Sequence, residues 1–256
     1  YGIAVTGDMV ISTLLASFVF YEVWKWNSTK TVIFMAIFLV IDFAFFSANI
    51  LKIPDGGWFP ILIGSVIFVL MTTWKKGRAV LYKILKSEAI EINSFISSIG
   101  AHPTPRVEGA AIFLTPNPDG VPHALLHNLK HNKVIHEKVI ILTVMFMDYP
   151  HSLTKDLVTV EKLPYNFFKV VVKYGFKDEP NLPKDLALCA KNGLNIDPMN
   201  SSYFIGKEIL LAMPKDNMNY WRKKLFIGLF RSAETITNQF KLPPNRVVEL
   251  GSQVLF

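Results

Sequence analysis

Three long apolar stretches open the chain, and shorter alternations of apolar and polar residues fill the rest. Gly2–Trp24, Thr31–Ile50 and Gly57–Trp74 hold 23, 20 and 18 residues, with two, one and no charged side chains. As helices they reach about 35, 30 and 27 Å, against a hydrocarbon core of about 30 Å, so each is predicted to cross a membrane. Buried helices of a soluble protein are the alternative. Three in succession with Trp24, Trp26, Trp58 and Trp74 at their edges favour spans, because amphipathic rings settle at the membrane interface.

Beyond Trp74 the period changes. Leu81, Ile84, Leu85, Ile92, Phe95, Ile96 and Ile99 fall on one broad face and predict a single amphipathic helix over Lys75–Ile99. Gly100, Pro103 and Pro105 mark 100–109 as a linker. Ala110–Leu114 then reads as a strand, PNPDG as a turn and Val121–Asn132 as a helix with Pro122 near its first turn. KVIILTVMF, Lys138–Phe146, reads as a buried strand. Leu157–Glu161 and Phe167–Tyr174 follow as strands around a turn containing Pro164. A helix near Pro183–Asn192, a strand Tyr203–Leu210, a helix Met218–Ala233 and a last strand Arg246–Leu250 with Val254 complete the pattern. The predicted fold class is an α-helical membrane bundle followed by a mixed α/β domain. The expected divisions are 1–74 for the spans, 75–100 for a connecting helix and 101–256 for the α/β domain.

Composition sharpens this division. The 256 residues are 51% hydrophobic and 18% charged, where soluble domains carry about 25% charged residues. Tyr1–Trp74 has three lysines and four acids, which leaves the remainder with 24 Lys/Arg, 16 Asp/Glu and a net charge of +8. Lys75, Lys76, Arg78, Lys83 and Lys86 cluster just after the third span, and the positive-inside rule puts that end in the cytoplasm. The chain opens on Tyr1 with no basic n-region or small-residue cleavage site, so the expectation is a piece of a longer membrane protein. A single cysteine, Cys189, allows no intrachain disulfide and reads as a buried structural thiol among Leu186, Leu188 and Ala190.

Candidate chemistry is sparse. Asp42 sits in the middle of the second span, where an ionised carboxylate costs at least about 2.5 kcal/mol, and Asn49 shares its helical face. Such a carboxylate either serves transport or joins two helices through hydrogen bonds. Asp8 lies near the start of the first span in the row Ala4, Asp8, Ser12, Ala16, whose small side chains permit close packing against further helices. In the tail, His127, Lys130, His131, Lys133 and His136 form a basic histidine run. His127 and His131 share a helix face, but the run has no HExxH arrangement and its lysines repel a cation, so no metal site is expected. Packing, an anionic headgroup or a nucleotide phosphate remain its open partners. The turn Pro118–Pro122 before a helix start offers backbone N–H groups to an anion. No catalytic constellation is found, and no nucleic-acid pattern is present, since the aromatics do not interleave with Lys/Arg.

Several strings then stand together. YGIAVTG opening a span, D-x-x-x-F-x-A-N over Asp42–Asn49, GGWFPILIG before MTTWK, HNLKHNKVIHEKVIILT and PPNRVVELGSQV resemble the Kup-type potassium uptake (KUP/HAK/KT) family, in order from residue 1 to 254. The resemblance implies the last three spans and cytosolic C-terminal domain of a twelve-helix importer of the bacterial inner membrane, moving K⁺ inward with H⁺ and using no cofactor. Tyr1, Gly2, Thr6 and Gly7 match its tenth-span motif, and Asp42 and Asn49 its eleventh. Asp8 departs from the family's usual Thr. Thr6, Asp8, Asp42 and Asn49 are thus the transport and proton-coupling candidates, with the K⁺ ligands on helices absent from this chain. The resemblance further implies a regulatory or structural role for the tail, and related importers respond to cyclic dinucleotides, a ligand that no particular residue of this chain can be assigned. A membrane-anchored nucleotide-binding domain is the alternative reading. The partners considered are the lipid bilayer, the missing membrane helices, a homodimer mate and that nucleotide.

Overall fold

The computed structural model describes residues 2–87, 89–153, 157–197, 200–213, 218–233 and 236–256. The chain divides into two compact units, Tyr1–Trp74 and Lys75–Phe256.

In the first unit, α1 (Gly2–Phe18) ends in a π-helical turn over Val19–Val23, and α2 (Ser28–Ile50) begins at Asn27. The Asn27 side chain accepts the Thr29 N–H at 3.1 Å, which satisfies one orphan donor of the first turn. The two helices pack antiparallel along a heptad-like seam: Ile3 and Thr6 of α1 and Thr31, Met35 and Asp42 of α2 are buried. At its closed end Trp26 stacks on Phe20 at 4.9 Å and meets the edge of Phe34 at 5.7 Å. A tight turn at Ile53–Gly57, with Gly56 at φ +112°, leads into α3 (Trp58–Ser87). That φ lies in the left-handed region open to glycine. Helices long and apolar enough to cross a membrane cover Gly2–Val23, Ser28–Ile50 and Ile53–Ser87.

The second unit holds the end of α3, then α4 (Ile92–Ala101), β1 (Arg106–Leu114), α5 (His123–Asn132) and β2 (Ile135–Met147). The hairpin β3 (Val158–Leu163) and β4 (Phe167–Gly175) follows, then α6 (Leu182–Asp185), β5 (Ser201–Leu211), α7 (Tyr220–Arg231), α8 (Ile236–Gln239) and β6 (Val247–Leu255). Six strands form one sheet in the order β3-β4-β2-β1-β5-β6, parallel except for β3. Apolar layers cover both faces, which explains why the strands read as continuous apolar runs. Ile112, Ile140, Val170 and Tyr203 pack on one side with Leu182, Leu186, Cys189 and Leu242. Ala111, Phe113, Ile141 and Phe204 pack on the other with Phe95 and Ile99 of α4 and Leu125 of α5.

Three expectations are corrected. The helix expected over Lys75–Ile99 is two helices, because Ile90 and Glu91 leave the helical path to pair with the turn before α5. The Val121 N–H donates to the Ile90 carbonyl at 2.9 Å, and Glu91 bridges Gly120. The linker expected over 100–109 gives way to strand at Arg106, with a bulge between Val107 and Ala110 that Gly109 permits at φ +100°. The helix expected over Pro183–Asn192 is one α turn followed by a 3₁₀ helix, Leu186–Asn192. Its three-residue period aligns Leu186 and Cys189 on the sheet. The Pro164 turn holds Tyr165 and Asn166 at φ +57° and +59°, the paired left-handed geometry that suits the twist of a hairpin.

Candidate functional site

The α1–α2 seam collects three of the four membrane candidates. Asp42 is 5% exposed, and the Thr13 hydroxyl donates to its Oδ2 at 2.6 Å. About two turns back toward the start of α1, the buried Thr6 hydroxyl donates to the Gly2 carbonyl at 2.9 Å. Asn49 lies against Gly2 so closely that a Cβ there would overlap its side-chain oxygen, while its Nδ2 donates to the Phe45 carbonyl at 2.9 Å. Glycine at position 2 is therefore what lets α1 reach Asn49. Asp8 is exposed on a different face with Ala4 and Ser12, away from the Asp42 seam. Tyr1 lies outside the described residues.

The tail candidates do not form one site. His127 and His131 stand side by side on α5 with ring centres 5.8 Å apart, while Lys130 and Lys133 are exposed. His136, at the start of β2, packs edge-on to Phe204 at 5.7 Å, and burial lowers its pKa. Its Nδ1 has no hydrogen-bond partner among the described residues. His136 lines a cleft of about 620 Å³ at the amino ends of β1, β2 and β5, together with Glu108, Lys138, Asp197 and Arg246. Acids and bases alternate there, so the cleft has no single preference of charge. No group of three His, Cys, Asp or Glu side chains comes together for a metal ion among the described residues.

A second cavity, about 400 Å³, opens at the carboxyl ends of the same strands. The connection from β1 through α5 leads to β2 on one side, whereas β5 lies on the other side and leads outward to β6. This reversal is the switch point at which parallel sheets form a crevice for ligands. Leu81, Leu85, Leu142, Val144 and Phe240 supply apolar walls, and Arg78, Lys86, Asn117, His123 and Glu208 supply the polar groups. The first turn of α5 enters the wall at His123 and Ala124, whose N–H groups have no acceptor inside the helix. Burial raises the pKa of the Glu208 carboxyl, and the nearby His123 and Arg78 charges pull it back without cancelling the effect. His123 Nε2 is buried with no partner among the described residues. The sequence reading missed His123 and Glu208. The signal available was the Lys207–Glu208 charge pair interrupting the apolar run FIGKEILL. The Pro118–Pro122 turn, singled out for its N–H groups, is what delivers α5 to this wall.

Residues 1–79 match the family model described as the K⁺ potassium transporter integral membrane domain, and residues 108–256 match the K⁺ potassium transporter C-terminal domain. The "Probable potassium transport system protein Kup 1" of Dechloromonas aromatica (strain RCB) is 52% identical over 255 residues, covering 100% of this chain and 40% of that protein. The Kup protein of Azoarcus sp. (strain BH72) is 51% identical over 99% of this chain and 40% of its own length. That of Nitrosospira multiformis is 49% identical with the same coverage. The chain thus spans about two fifths of the length of these curated relatives. No solved structure matches it.

Proposed function

The chain belongs to the K⁺ potassium transporter family, and from that membership we propose that it works as part of a low-specificity K⁺ uptake system, a K⁺/H⁺ symporter of the bacterial inner membrane and not an enzyme. The observation that carries the proton-coupling part is the buried Thr13–Asp42 pair. A hydroxyl both donates and accepts. Thr13 can donate to an ionised Asp42 and accept from a protonated one, so a proton can arrive or leave without orphaning either group. K⁺ itself would be held by oxygen ligands on helices outside this chain, within an alternating-access bundle. Thr6 and Asn49 support the seam from one side. Asp8, on the outward face of α1, is available to helices beyond this chain. In the full-length transporter, Asp42→Asn is expected to abolish proton-coupled rubidium uptake. Uptake with the wild-type rate and pH profile would overturn the assignment.

A cytoplasmic location for the α/β domain is supported by the five basic residues between Lys75 and Lys86. A second reading, nucleotide regulation through the tail, is favoured by the switch-point cavity. Arg78, Lys86 and the α5 amino terminus offer an anion site beside apolar walls that suit a base. His127, Lys130, His131 and Lys133 do not line that cavity, and His136 lines the opposite cleft, so Arg78 is the residue to test. Calorimetric titration of the full-length protein with cyclic di-AMP should give saturable heat that Arg78→Gln weakens. Absence of heat, or equal heat from the variant, would remove this site as the regulator.

A further inference from the structure

Helix α7 carries one set of residues that its role in the core explains and a second that it does not. Its inner face is buried through Lys223, Phe226 and Ile227, with Lys223 Nζ donating to the Met213 carbonyl at 2.9 Å and Phe226 stacked on Phe256 at 5.0 Å. Its outer face presents Tyr220 at 50% and Trp221 at 56% exposure. Cations accompany both rings: Lys224 Nζ lies 4.8 Å from the Tyr220 ring centre, and the Arg222 guanidinium 5.9 Å from that of Trp221. Arg231 is also exposed, and no acid occurs between Met218 and Ala233. Two exposed aromatics running directly into basic residues on an amphipathic helix are a composition that suits an anionic lipid interface, where rings sit at headgroup depth and cations meet phosphates.

The position of α7 supplies the second argument. Phe226 covers Gly77 of α3 so closely that a Cβ at Gly77 would overlap the ring. Gly77 follows Trp74, the aromatic residue at the edge of the third span, by three residues, about 5 Å along a helix axis. Lys75 and Lys76 between them are exposed. The inner face of α7 is thus fastened to the first turn of polar helix beyond the apolar span.

We infer that α7 is an interfacial anchor of the tail, laying Tyr220 and Trp221 among anionic lipid headgroups, with Lys224, Lys75 and Lys76 on the phosphates. The inference rests on the reading that α3 begins as a membrane span. Its consequence is that the tail is held to the bilayer at a second point besides the covalent one.

The test compares the full-length protein with Trp221→Phe in vesicles that contain brominated phosphatidylglycerol. The difference in tryptophan emission reports Trp221 alone, while Trp24, Trp26, Trp58 and Trp74 report the spans. Trp221 is expected to be quenched by the brominated lipid and shielded from iodide. Lys224→Gln should weaken its lipid contact about fivefold, from about 1 kcal/mol for a basic side chain near an anionic leaflet. Quenching by iodide alone would mean a solvent-facing helix and overturn the inference. Shielding from both quenchers would mean a protein partner and overturn it equally. Loss of lipid quenching from the span tryptophans too would instead indict the membrane reading of α3.

Discussion

Glu208 is a carboxyl on β5 between Lys207 and Ile209, and its surroundings set its chemistry. Burial favours the protonated form, so the folded pKa lies above the ordinary value of 4.5. The stability tied to Glu208 is therefore fully present below that ordinary value and is lost as pH rises through the folded one. Glu208→Gln keeps the shape without the charge. The variant is expected to melt at a higher temperature than wild type at neutral pH and no higher in acid, as followed by thermal unfolding across that range. Asp178 shows the opposite case: the Ser152 hydroxyl and N–H, His151 and the Gly175 N–H all donate to its carboxylate and hold its pKa far down. Cys189 is legible from sequence alone, as a small thiol amid leucines. The structure buries it fully, and burial pushes its pKa up to about 11, so it is no nucleophile. Glu208 was not legible in the same way, because its setting comes from α3 and α5, remote in sequence.

At the scale of elements, the strongest test lies where α3 and α7 cross. A glycine inside a helix costs about 1 kcal/mol relative to alanine, so Gly77 needs a compensating reason. That reason is the Phe226 ring seated on it. Gly77→Val should destabilise the tail by about 1–3 kcal/mol through overpacking, measured by denaturant unfolding. An unchanged midpoint would show that α7 does not depend on this contact. The element types expected from periodicity recur in the fold, but their ends moved for local reasons. The Lys75–Ile99 pattern kept its apolar face through the break at Ile90 and Glu91, since the residues on both sides still point at a core. Periodicity records which side chains are buried, and a backbone hydrogen bond to a distant turn leaves no mark on it. The 3₁₀ helix over Leu186–Asn192 escaped for a related reason. Leu186 and Cys189 satisfy both an α and a 3₁₀ period over so short a run.

The whole molecule is two units with different solvents, and topology is the prediction that belongs to this scale. If the tail is cytoplasmic, the turn between α2 and α3 faces outward. A cysteine at Asp55 should react with a membrane-impermeant maleimide in intact cells, and one at exposed Lys133 should react only after the membrane is opened. The reverse pattern would invert the assignment and with it the positive-inside argument. The candidate site was partly legible at this scale. The membrane carboxylate stood out because charge is costly in lipid, whereas the switch-point cavity needed the strand order β3-β4-β2-β1-β5-β6.

What the sequence by itself determined was the division of solvents. Runs of about 20 apolar residues, the tryptophans at their ends, the basic cluster after Trp74 and the collinear family strings all follow from local composition, which burial in lipid or water selects directly. Only the tertiary structure decided which polar groups meet. It paired Asp42 with Thr13 and left Asp8 outside, separated His136 from His127 and His131, and gathered Arg78, His123 and Glu208 around one cavity. Those encounters join residues tens to more than a hundred positions apart. They depend on helix-seam register and strand order, which no local pattern of hydrophobicity encodes.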